Sequence, residues 1–65
     1  MNQTVKHFLD QIKKGQYKAA AQIYFNRAYQ YQKEFNEILD DANVKEEVFA
    51  ELRNLESYAE YNDQI

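Results

Sequence analysis

Residues 16–42 read QYKAAAQIYFNRAYQYQKEFNEILDDA, and the spacing of the apolar side chains in this stretch decides the fold. Tyr17, Tyr24, Tyr31 and Ile38 recur every seven residues, and Ala21, Ala28, Phe35 and Ala42 form a companion series four residues on. Seven residues is close to two α-helical turns, so the two series share one face of a helix in the manner of a coiled-coil seam. Small alanines set among tyrosines let large rings fit without forcing neighbouring helices apart. The stretch therefore predicts a long helix over residues 16–40, about 35 Å in length if straight.

Working outward, Val5, Phe8, Leu9 and Ile12 lie at i, i+3, i+4 and i+7, the buried face of a first helix over residues 5–14. Asn2 or Thr4 is placed to cap it, because a side-chain oxygen there satisfies a free backbone N–H. Lys13 and Lys14 sit in its last turn, where cations suit the helix dipole, and Gly15 follows in position for the left-handed residue that ends helices. On the other side, Asp40-Asp41-Ala42-Asn43 reads as a break. Asn43 is expected to be the N-cap of a third helix over residues 44–61, with Glu46 completing a capping box and Glu46 and Glu47 facing the positive end of the dipole. Val44, Val48, Leu52, Leu55 and Ala59 form its apolar stripe.

Proline is absent and Gly15 is the single glycine, so the turn residues that strands require at regular intervals are missing. Short connections make successive helices antiparallel. The expected fold is all-α: a small antiparallel three-helix bundle with a long central helix, one domain over residues 1–65. Gly15-x-Tyr17-x-x-Ala20 followed by Tyr24 resembles the turn and second helix of a tetratricopeptide repeat, across roughly residues 8–28. The resemblance implies a helical hairpin there. Phe8 and Leu9 stand where the repeat carries a small residue, no proline closes the second helix, and such repeats bury a core only in several copies.

The composition narrows the chemistry. Cysteine is absent, which removes disulfides and thiolate metal ligands and fits a reducing compartment. His7 is the lone histidine, and no Glu-x-x-His pair of the di-metal bundles occurs. The acids between Asp40 and Glu51 lack the central glycine of a calcium loop. Ser57, the only serine, has no histidine placed to activate it. Asp40, Asp41, Glu46 and Glu47 are explained as helix-end residues. The expectation is a non-enzymatic protein with no cofactor and no metal. No stretch approaches the roughly 18 apolar residues of a membrane span, and the first residues do not follow the pattern of a signal peptide, so a cytoplasmic location is expected.

The aromatic content is the strongest positive lead, with six tyrosines and four phenylalanines in 65 residues. At 100° per residue, Phe25 and Tyr29 fall well off the seam and share a second face with Gln22, Gln32 and Asn36. Phe49 is similarly off the stripe of the third helix. Phe25, Tyr29, Gln32 and Phe49 are the candidate partner-binding residues, for a different protein or for a second copy in a homodimer; a wide apolar sector within the bundle would also accommodate the rings. A small regulator, inhibitor or adaptor is the function expected. The size and composition suit a phage-encoded, plasmid-encoded or bacterial accessory protein.

Charge leaves a second possibility open. Residues 1–33 carry Lys6, Lys13, Lys14, Lys18, Arg27 and Lys33 against Asp10, a net of +5, whereas residues 34–65 carry ten acids against Lys45 and Arg53, a net of −8. Lys13, Lys14 and Lys18 form an alternative basic patch for nucleic acid. That reading is disfavoured because the third helix, where a recognition helix belongs, is acidic. Glu46, Glu47, Glu51, Glu56 and Glu60 could conversely make an acidic face that mimics nucleic acid. Mutual neutralisation of neighbouring helices accounts for the same pattern, with Glu56, Glu60 and Asp63 expected beside Lys13, Lys14 and Lys18. Such exposed pairs are worth about 0–1 kcal/mol each and are screened by salt. Thermal denaturation across a salt series tests the pairing: the melting temperature falls as salt rises, and an unchanged or rising value removes it.

Overall fold

The computed structural model describes the backbone of residues 2–63 and the side chains of residues 2–55. It contains three helices, α1 (Gln3–Lys13), α2 (Tyr17–Ala42) and α3 (Lys45–Asp63), with no strand among the described residues. Both α1 and α3 pack against α2. The fold class expected from the sequence is the one observed.

Each helix end follows from a specific residue. The Asn2 side-chain oxygen accepts from the Thr4 backbone N–H at 2.7 Å, so Asn2, not Thr4, caps α1. At the other end Gly15 adopts φ +74, its N–H donates to the Ile12 carbonyl, and the Gln16 N–H reaches back to the Gln11 carbonyl at 2.9 Å. This paired pattern is a Schellman motif, in which a left-handed residue turns the chain while satisfying the last carbonyls. The same motif ends α2. Asn43 sits at φ 59, ψ 42; its N–H donates to the Asp40 carbonyl and the Val44 N–H to the Leu39 carbonyl, both at 3.2 Å.

That geometry corrects the sequence reading of Asn43. An N-cap needs an extended backbone, and asparagine here instead uses its tolerance of the left-handed region to terminate the preceding helix. The break at residues 40–43 accordingly shrinks to Asn43 and Val44, and α2 keeps Asp40, Asp41 and Ala42. Glu46 and Glu47 do lie in the first turn of α3.

The core comprises Val5, Phe8 and Ile12 from α1, Ala20, Ala21, Tyr24, Phe35 and Leu39 from α2, and Val48 from α3. Leu9, Tyr17, Ala28, Tyr31, Ile38, Val44, Leu52 and Leu55 are half-buried. The tyrosine and alanine series therefore face inward as expected, except that Ala42 is exposed, lying at the end of the helix. Ala59, and the Glu56, Glu60 and Asp63 side chains expected to meet the lysines, lie outside the described side chains.

Helix α2 is not a straight rod. Its backbone leaves helical geometry at Tyr31 (φ −129, ψ 25), dividing it into arms over residues 17–30 and 32–42. In a straight helix Tyr24 and Phe35 would be separated by about 16 Å along the axis. Their ring centroids are 5.7 Å apart, and the Tyr24 hydroxyl donates to Asn36 Oδ1 at 3.1 Å. Tyr17 and Ala42, at opposite ends of the helix, line the same groove. The arms therefore fold toward one another. Phe8 of α1 fills the angle between them, stacked on Phe35 at 4.3 Å and tilted against Tyr24 at 6.4 Å.

Two substitutions test these local arguments. No atom lies within 4 Å of a Cβ built on Gly15, so Gly15→Ala carries only the backbone cost of the left-handed region. It is expected to destabilise by about 1 kcal/mol, lowering the melting temperature by about 4–8 °C. Tyr24→Phe keeps the ring and removes the hydroxyl donor to Asn36. Denaturant titration should give a loss of about 1 kcal/mol, whereas no change would mean that water replaces the bond freely.

Candidate interaction surface

The first arm of α2 buries Ala20, Ala21 and Tyr24 and turns an adjoining face to solvent. On that side stand Phe25 and Tyr29, one helical turn apart and 46% and 77% exposed. They are the large hydrophobic side chains that remain exposed among the described residues. The rings of Phe8, Tyr24, Tyr31, Phe35 and Phe49 form one connected cluster, and among the described residues those of Phe25 and Tyr29 enter no aromatic pair. Lys18 and Gln22 precede them at the spacing of the same face, and both are exposed. Gln32, beyond the bend, is exposed too.

The other members of the candidate set are placed differently. Phe49 is half-buried and meets Tyr24 edge-on at 5.5 Å, with the Lys45 ammonium 5.8 Å from its ring centroid. It closes the top of the core. Asn36, assigned by periodicity to the outer face with Phe25 and Tyr29, is half-buried and accepts the Tyr24 hydroxyl. The bend at Tyr31 rotates the second arm inward and breaks the straight-helix phase on which that assignment depended.

Lys13, Lys14 and Lys18 are all exposed around the α1–α2 turn. Lys14 pairs with Asp10 one turn earlier at 3.0 Å, which reduces the field of the patch without ordering it strongly, since both groups are at least half exposed. On the acidic side, Glu46 and Glu47 are exposed and Glu51 is half-buried, while Glu56 and Glu60 lie outside the described side chains. Lys45 approaches Asp40 at 3.8 Å across the α2–α3 turn.

Sequence reasoning missed an apolar groove between α1 and the second arm of α2. Val5, Tyr31 and Ile38 line one end beneath Glu34, Glu37 and Asp41. Leu9, Ile12, Tyr17 and Val44 line a second depression toward the α1–α2 turn, which shares Ile38 and Asp41 with the first. That depression brings Tyr17 beside Ile38, a neighbourhood that exists only because α2 bends. Among the described residues no three His, Asp or Glu side chains converge as metal ligands would, and no helix is long and apolar enough to cross a membrane. Comparison with protein-family models, with curated proteins and with solved structures finds no match to this chain.

Proposed function

We propose that this chain is a non-enzymatic protein-binding module, a cytoplasmic regulator, inhibitor or adaptor that presents Phe25 and Tyr29 to its partner. The observation that carries this reading is the exposure of two large aromatic side chains on successive turns, in a molecule small enough to need every ring for its core. Aromatic side chains gain most when a partner removes them from water, and tyrosine adds a hydroxyl that keeps the free surface compatible with solvent. Gln22 and Gln32 supply the polar margin, and Lys18 adds a cation that steers toward an acidic partner. The helix holds the two rings in a fixed relation, so little conformational entropy is lost on binding.

Nucleic-acid binding through Lys13, Lys14 and Lys18 is the competing class, and the two differ in which side chains matter. Phe25→Ala/Tyr29→Ala is expected to weaken capture of the protein partner by tenfold or more, with the helical content intact by circular dichroism. Lys13→Ala/Lys14→Ala/Lys18→Ala is expected to change it little. If the aromatic variant binds as the parent does, and the lysine variant loses binding that also falls steeply with salt, the surface belongs to nucleic acid.

A further inference from the structure

The bend in α2 has no local cause. Sharp bends in helices occur almost always at proline, at glycine or serine pairs, or at an inserted residue or group. The chain has no proline, its one glycine is Gly15 and its one serine is Ser57, so neither lies near Tyr31. The sequence instead runs an unbroken seam through the bend, from Tyr17 and Tyr24 to Tyr31 and Ile38. Local preference thus favours one continuous helix, and only tertiary contacts hold the arms together.

Those contacts all join the same two units, residues 3–30 and residues 32–55. Phe8 stacks on Phe35 at 4.3 Å, Tyr24 meets Phe35 at 5.7 Å and Phe49 at 5.5 Å, and the Tyr24 hydroxyl donates to Asn36. Each pair crosses Tyr31. The centre of the core is therefore an interface between two helical hairpins. Charge divides at nearly the same place, with a net of +5 over residues 1–33 and −8 over residues 34–65. The hairpins carry opposite net charge, although both ion pairs among the described residues, Lys14–Asp10 and Lys45–Asp40, lie within a hairpin; the aromatic contacts between the hairpins form whether or not they belong to one chain.

We propose that Tyr31 is a hinge about which α2 straightens, so that two copies of the chain exchange hairpins and form a domain-swapped dimer. Residues 3–30 of one chain then dock on residues 32–63 of the other. Every contact named above is kept, now between chains, and each α2 regains helical geometry at Tyr31. The tyrosine seam is continuous along the straight helix and lies against the second chain. Exchange of this kind needs no new surface, only a hinge that opens at low cost. It does not use Phe25 or Tyr29, which stay on the outer side of the first arm, so the proposal stands apart from the protein-binding reading.

The chain lacks cysteine, so Lys18→Cys/Asp41→Cys offers two unique spin-labelling positions, both exposed. Doubly labelled protein is refolded with an excess of unlabelled wild type, the dimer is isolated, and the intrachain distance is read by pulsed electron resonance. A straight α2 places the two backbone positions about 35 Å apart. The bent chain holds them much closer, because Tyr17 and Asp41 line one groove. A dimer with the long distance is the expected result. A dimer with the short distance, or a protein that remains monomeric at millimolar concentration, overturns the proposal. Tyr31→Ala and Tyr31→Gly provide a second measurement: both remove the ring, but glycine disfavours the straight helix. With two hinges per dimer, the glycine variant is expected to dimerise about thirtyfold more weakly than the alanine variant. Equal dimerisation of the two variants would also reject the hinge.

Discussion

Phe8 stacked on Phe35 is the contact on which the remaining geometry depends. Phe8 enters from α1 and Phe35 from the second arm of α2, while Tyr24 closes over both from the first arm. Three segments that are distant along a straight path meet at one aromatic cluster, and they can do so only if α2 bends. Phe8 and Phe35 are both fully buried. Burial of rings of this size contributes about 1.5–3 kcal/mol each, and favourable ring–ring geometry adds about 0.5–1.5 kcal/mol. That gain is set against the helical geometry lost at Tyr31.

The polar side of the same cluster fixes its register. The Tyr24 hydroxyl would otherwise be carried into the interior without a partner, and Asn36 accepts its hydrogen bond across the bend. A hydrogen bond of this kind adds modest stability, but leaving its donor unmatched is costly, so it discriminates against other packings of the two arms. Small alanines at Ala20 and Ala21, both fully buried, let the first arm approach the aromatic cluster closely. The two Schellman turns complete the frame by reversing the chain within two or three residues on either side of α2.

Outside this frame stand side chains that the core does not use. A chain of 65 residues buries only about 60% of the surface of its unfolded form, and aromatic side chains are its most effective source of stability. Among the eight aromatic side chains that the structure describes, two are nevertheless left exposed on one helical face. The charge divides into a basic and an acidic half, and such a separation adds a long-range component to any encounter with a charged partner.

Residue order was enough for the helical class, the number of helices, the left-handed role of Gly15, the inward seam of tyrosines and alanines, and the placement of Phe25 and Tyr29 off that seam. Each follows from periodicity or from the conformational range of one residue type, which are local properties. Packing of the helices on one another settled the bend at Tyr31, the exposure of Phe25 and Tyr29, the inward rotation of Asn36, the engagement of Phe49 with Tyr24, and the groove beneath Glu34, Glu37 and Asp41. No local signal marks Tyr31, because what moves it out of helical geometry is the burial of Phe8 against Phe35, residues 27 positions apart in the chain. Asn43 lies between these cases. Asparagine suits both an N-cap and a left-handed C-terminal position, and the choice was made by whether the Leu39 and Asp40 carbonyls or the amides of α3 were the groups left to satisfy.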